Sequence, residues 1–215
     1  MVFSSPLFLF LFLPIVLGLY FACRPTLGNS ILLVASLLFY AWGEPIYVLL
    51  MLYATAMNYG FGILVDEYRG GPLGRWILGV AIATNLASLF YYKYSGFFLN
   101  ISGGHFPGME NSLPLPEKLP LGISFYTFHA ISYLVDVYRR ESAAQRNPLD
   151  LGLYIAFFPQ LVAGPIIRYH DIAGQLRKRQ ILLSDFNYGI QRFTLGLVKK
   201  VLIANSCAQL ADGIF

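Results

Sequence analysis

Long stretches without Asp, Glu, Lys or Arg constrain this chain more than any motif: residues 1 to 23, 46 to 65, 76 to 92, 119 to 135 and 151 to 167 carry none. A hydrocarbon core of about 30 Å takes about 20 helical residues at a rise of about 1.5 Å each. The first two stretches can therefore span readily. Residues 76 to 92 and 119 to 135 sit near the short end and draw on flanking Tyr or Lys. Residues 31 to 42, "ILLVASLLFYAW", are too few to span alone, and "GEP" at 43 to 45 breaks the helix after them. They read as one arm of a helical hairpin extended through Asn29 and Ser30. With 57% hydrophobic and 12% charged residues, the 215-residue chain reads as a single all-helical membrane domain, a polytopic helix bundle with the lipid bilayer as its solvent.

Charge placement then sets orientation. The formal net charge of +4 falls in short clusters between apolar runs, which is a topology signal rather than a nucleic-acid surface. Arg24, then Arg69 and Arg75, then Arg139, Arg140 and Arg146 follow alternate runs, so those loops are expected to be cytoplasmic and the Pro- and Gly-rich loop at 102 to 118 external. A full span at 151 to 167 would carry the basic segment "RYHDIAGQLRKRQ" to the outer side. "LGLYIAFFPQLVAGPIIR" contains Pro159 and the Gly164–Pro165 pair, which interrupt helical hydrogen bonding. Such breaks persist at membrane depth only inside protein or along a cavity. The segment is therefore expected to dip in, break and return to the cytoplasmic side. "DFNYGIQRFTLGLVKKVLIANS" sets Arg192, Lys199 and Lys200 against Phe193, Leu197 and Val201, an amphipathic helix. The uncharged segment 1 to 23 lacks the basic start and the small-residue site of a cleavable signal and reads as a retained span.

Few residues carry chemistry. His129 lies within a span, where an ionisable group is a functional hypothesis by default. Ser132 and Asp136 share its helical face, but Asp136 is about 10 Å further along the axis, too far for a Ser-His-Asp relay. Asp136 is expected to pair with Arg139 and Arg140 near the interface, leaving a neutral His129 to donate to a neighbouring helix. His105 and His170 fall in polar loops. Arg168 directly follows the Gly-Pro break and suits a carboxylate, phosphate or carbonyl as well as it suits a membrane anchor. Cys23 and Cys207 form no C-x-x-C pair, and nucleophile-elbow, zinc-protease and phosphate-loop signatures are lacking, so neither a metal nor a bound cofactor is expected. The apolar runs also lack the intramembrane charges that an ion-coupled transporter uses.

Taken in order, "MVFSSPLFLFLFLPIVLGLYF", "NSILLVASLLFYAWGEP", "LPLGISFYTFHAISYLVDVYRR", "FFPQLVAGPIIR" and "RFTLGLVKKVLIAN" resemble the membrane-bound O-acyltransferases. Within that family they are most similar to the bacterial branch that acetylates alginate and other cell-envelope polysaccharides. The resemblance implies part of a ring of helices around a buried channel, in the bacterial inner membrane. Through it an acyl group passes from a cytoplasmic donor, such as acetyl-CoA used as substrate, to an exported polysaccharide with the help of extracytoplasmic acetylation subunits. The family's catalytic histidine lies in a segment downstream of the one resembling "RFTLGLVKKVLIAN", so the resemblance places it beyond Phe215. None of His105, His129 and His170 matches it. The expectation is the amino-terminal part of such an enzyme. The alternative is a truncated non-catalytic scaffold or one half of a split acyltransferase. Tyr126, His129, Gln160 and Arg168 are the expected channel-lining residues, chosen from position and chemistry.

Overall fold

The computed structural model describes residues 3–101, 119–161, 164–179 and 181–213. Residues 102 to 118, with His105, and residues 162 and 163 lie outside the described residues. So does Phe215, the residue beyond which the family's catalytic histidine is expected. Among the described residues, the chain is helical without strands. A π-helical turn at Phe8–Phe12 leads into α1 (Leu13–Gly43), followed by α2 (Tyr47–Tyr68) and α3 (Pro72–Ile101). After 118 come α4 (Ile123–Tyr138), α5 (Pro148–Ala156), a single turn α6 (Phe158–Leu161) and α7 (Tyr169–Arg177). The chain closes with α8 (Leu183–Val198), a π-helical stretch at Lys199–Ala204, and α9 (Asn205–Asp212).

The expected hairpin is present inside α1. Its apolar arms, Phe8–Cys23 and Leu27–Gly43, lie side by side, because Phe12 and Phe39 meet with ring centroids 5.7 Å apart. In a straight helix those residues would be about 40 Å apart. Phe3, Phe8, Phe12 and Phe39 gather around Phe158 of α6 with centroids between 5.1 and 6.5 Å, an aromatic knot at one end of the bundle.

Polar side chains close the opposite end. Asp66 of α2 holds Arg69 at 3.0 Å and Arg146 at 3.2 Å, and Arg69 also donates to the Val137 carbonyl of α4 at 3.1 Å. Asn29, just past the hairpin turn, donates to Asp150 of α5 at 2.7 Å and to the Leu176 carbonyl of α7 at 2.8 Å. Arg69, Arg146 and the basic stretch at 168 to 179 thus share one end, as the charge alternation requires.

Burial sorts the helices by role. α2 and the Pro72–Phe98 portion of α3 are long and apolar enough to cross a membrane, and only 22% of each apolar window is buried. Leu49, Tyr53, Trp76 and Phe97 project outward with more than half of their surface exposed, which suits lipid rather than water. α4 and α5 are shorter, yet they are the core: seven of the nine residues of α5 are buried. α3 runs nine residues beyond the expected stretch of 76 to 92, because Lys93 continues the helix and donates its ammonium to Ser124 at 3.3 Å.

α2 and α3 are locked by a buried amide pair. Asn58 donates to the Asn85 carbonyl oxygen at 3.0 Å and Asn85 returns the bond at 2.8 Å, while each spends its second hydrogen on its own helix, at Ala54 and Ala81. Every amide hydrogen of the pair is therefore satisfied, which matters where water is excluded. Asn58→Ala should lower unfolding stability in detergent by about 1–2 kcal/mol. Thr84→Ala, which removes a hydroxyl bonded to the Val80 carbonyl of its own helix, should leave the unfolding curve almost unmoved.

Candidate functional site

One face of α4 carries Tyr126, His129, Tyr133 and Asp136, at the i, i+3, i+7 and i+10 positions of a helical stripe. All four are buried. The stripe faces the broken segment, which explains how a polar face can sit inside an apolar bundle. α5 runs in from the polar end, α6 turns among the phenylalanines, and residues 164 to 168 return as non-helical backbone beside α4.

Two glycines make this path possible. Gly122 sits just before α4 at φ +72°, and a Cβ there would lie 2.7 Å from the Leu161 carbonyl, so the tip of the segment presses on the far end of α4. Gly164 leaves the tip against Gln160 and Pro159; its own Cβ would come within 2.6 Å of the Gln160 Cα. From there the return leg climbs α4 in register. Pro165 presents its carbonyl to His129, Tyr169 packs edge-on against Tyr133 at 4.8 Å, and the His170 backbone N–H donates to the Asp136 carboxylate at 3.0 Å. From Gly122 to Asp136 the climb covers about 21 Å of helix.

The two legs are tied to each other as well. Tyr154 of α5 donates to the Ile167 carbonyl at 2.9 Å, and its ring meets His129 at 5.4 Å and Tyr169 at 5.1 Å, with Ser132 within reach of its hydroxyl. Tyr133 accepts the Gln145 N–H at 3.1 Å, in a position that only a glycine at 62 on α2 leaves open. A continuous column of rings therefore leads from His129 to the polar end.

Several expected residues behave differently from their sequence neighbourhood. His129 has no exposed surface, and neither ring nitrogen reaches hydrogen-bond geometry with a neighbouring helix; the ring meets Tyr154 and faces the Pro165 carbonyl instead. The expected donation to a neighbouring helix is thus not made among the described residues. Asp136 does not pair with Arg139 or Arg140. Its carboxylate turns inward to His170, with Nδ1 at 3.0 Å, while Arg139 lies 4.0 Å from Glu141. The reason is local: Arg140 adopts φ +64°, and the N–H groups of Glu141 and Ser142 fold back onto the Asp136 carbonyl, so the basic pair is carried past the helix end. His170, expected in a loop, lies in the first turn of α7.

The Tyr126 hydroxyl is buried without a hydrogen-bond partner, within electrostatic range of Tyr40 and Tyr92, and the Tyr40 hydroxyl is likewise unpartnered. Gln160 is 7% exposed, its Oε1 is unpartnered, and it borders a cavity of about 540 Å³ with Tyr154, Ile167, Asp171, Gln175 and Arg179. His129 adjoins that cavity through Tyr154. Arg168 stands apart with an exposed side chain at the N-terminus of α7.

No family model and no solved structure matches the chain. It is 43% identical over 220 residues to the "Probable alginate O-acetylase AlgI" of Pseudomonas putida and 43% identical over 221 residues to that of Pseudomonas aeruginosa, in both cases across 100% of its own length. The whole chain resembles the alginate O-acetylases. It is also 30% identical over 248 residues to a peptidoglycan O-acetyltransferase of Helicobacter pylori, across 99% of its length. These matches cover 45%, 42% and 46% of the three relatives, so the chain spans less than half the length of each and resembles the amino-terminal part of membrane-bound O-acyltransferases.

The glycine contact offers a direct check on the path. Gly122→Ala should cost at least about 1 kcal/mol and open residues 161 to 168 to limited proteolysis. Gly174→Ala, in α7 with open space around it, should leave cleavage unchanged and stabilise by up to about 1 kcal/mol.

Proposed function

We propose that this chain is the membrane-embedded, amino-terminal portion of an O-acetyltransferase of the bacterial inner membrane that acetylates an exported polysaccharide of the alginate kind. The observation that carries the reading is its similarity to alginate O-acetylases along its full length. The similarity to a peptidoglycan O-acetyltransferase supports a cell-envelope carbohydrate as the acceptor class. An acyl donor such as acetyl-CoA would arrive from the cytoplasm, and extracytoplasmic acetylation subunits would receive the group.

In this reading α4 and the broken segment form part of the channel wall, and the catalytic histidine would stand beyond Phe215 in the complete protein. Acyl transfer across a membrane needs a polar path for a thioester or ester carbonyl through a medium that does not tolerate unpaired polar groups. Tyr126, His129 and Gln160 supply a hydroxyl, an imidazole and an amide oxygen that are buried yet lack hydrogen-bond partners, the arrangement expected of groups facing such a path. Arg168, exposed beside the return leg at the basic end, would meet an anionic donor as it arrives. The segment 151 to 167 is a re-entrant loop that enters and leaves on the cytoplasmic side.

Acetyl content of the exported polysaccharide tests the wall. With the complete protein in cells, His129→Ala and Arg168→Ala should each lower it roughly tenfold, the equivalent of about 1.4 kcal/mol of lost positioning, with immunoblot levels unchanged. Full acetylation in both variants would remove them from the path. Topology is tested separately. In a background with Cys23 and Cys207 replaced by Ser, a cysteine at Gln175 should react with an impermeant maleimide only from the cytoplasmic face. Labelling from the outer face alone would make 151 to 167 a full span.

A further inference from the structure

Where α4 ends and the broken segment re-emerges, three side chains from separate elements converge: Asp136 from the last turn of α4, Glu141 from the turn after it and His170 from the first turn of α7. One oxygen or nitrogen of each lies within 4.8 Å of the others. His170 Nδ1 is 3.0 Å from Asp136 Oδ2 and 3.5 Å from Glu141 Oε2. Ligand atoms at the corners of a zinc tetrahedron, with bonds of about 2.0–2.2 Å, stand about 3.4 Å apart. The two separations from His170, 3.0 and 3.5 Å, bracket that spacing.

The other side of the imidazole makes the case sharper. His170 Nε2 lies 3.1 Å from Asp171 Oδ1. An imidazole that donates its Nε2 proton to Asp171 turns a bare Nδ1 lone pair toward two carboxylates, so that three acceptors converge, of which Asp136 alone also accepts a backbone N–H, that of His170. A cation at Nδ1 resolves the conflict. A carboxylate that orients a histidine through its far nitrogen is the usual support of a metal-bound imidazole. Charge agrees: three carboxylates surround this one imidazole, Asp136 has a side chain only 6% exposed, and the guanidinium that pairs with the cluster among the described residues, that of Arg139, is 61% exposed and meets Glu141 at 4.0 Å. A buried carboxylate needs a compensating charge.

We propose that Asp136, Glu141 and His170 bind a divalent transition-metal ion, with Zn²⁺ the best match to one imidazole, two carboxylates and a fourth position left to water. The ion fastens the return leg to the end of α4 and so fixes the ring column of Tyr169, Tyr154 and His129. This goes beyond the acyl-transfer reading and stands whether or not that reading holds. No metal motif marks the site in the sequence, because its ligands lie 5 and 29 residues apart in the chain.

The test uses the natural protein that carries these residues, purified in detergent without a polyhistidine tag, stripped with chelator and titrated with Zn²⁺ by calorimetry and with Co²⁺ by visible absorption. One Zn²⁺ per chain, a tetrahedral Co²⁺ spectrum and a Zn²⁺-dependent rise in Tm are expected. His170→Ala should abolish binding, and Asp171→Asn should weaken it about 10–100-fold. Glu141→Gln, at an exposed side chain, should weaken binding at least about tenfold while leaving the Tm in chelator unchanged. Cys207→Ser should alter nothing. The proposal is overturned by three results: no saturable binding, binding that survives both His170→Ala and Glu141→Gln, or Tm losses in these variants that are the same with and without Zn²⁺. The last would mean an ion-pair clip around an imidazolium.

Discussion

Non-helical backbone must find its partners outside its own segment, and in this chain the leg at 164 to 168 finds them along α4 and α5, where Tyr154 donates to the Ile167 carbonyl and Asp136 accepts the His170 N–H. Most other features follow from it. α4 can carry Tyr126, His129, Tyr133 and Asp136 on one face because that face never meets lipid. Gly62, Gly122 and Gly164 stand where a side chain would push the layers apart. The long apolar helices α2 and α3 lie outside and screen this interior, with little of their own surface buried.

The two ends of the bundle are held by different physics. Phenylalanine rings around Phe158 close one end, through packing that needs no partner charge. At the other, short polar bridges run from Asp66, Asn29 and Asp136 to elements far away in sequence. Each bridge joins a helix end to the chain that follows or returns, so the connections themselves are fastened. The cavity bordered by Gln160 and Arg179 opens between the hairpin arms and this fastened end.

Much of the architecture was legible in the sequence because hydropathy and helix breakers are local signals. The Pro159 and Gly164–Pro165 interruptions marked the broken segment, and the surplus of arginine and lysine after it required a return to the basic end. The hairpin at 1 to 43 followed from a run too short to span. The reach of α3 was underestimated because Lys93 looks like a terminus in sequence, whereas a long side chain can continue a helix and carry its charge aside. The partner of Asp136 was not legible at all. Helical spacing points to Arg139 and Arg140, and the left-handed Arg140 that cancels that choice is a tertiary fact. His170 comes from 34 residues away, brought there by a turn whose geometry no periodicity encodes. Similarity to O-acetylases was readable from the ordered motifs, while the burial of Tyr126, His129 and Gln160 and their unpartnered polar atoms were visible only in the structure.

The Asn58–Asn85 pair bears on how such a chain comes to be embedded. Each asparagine alone would place an uncompensated amide in hydrocarbon. Met together, they satisfy all their hydrogens, and only the short turn from Arg69 to Gly71 separates α2 from α3. In the membrane reading proposed above, the two helices would partition into a bilayer better as one preassembled hairpin than in succession.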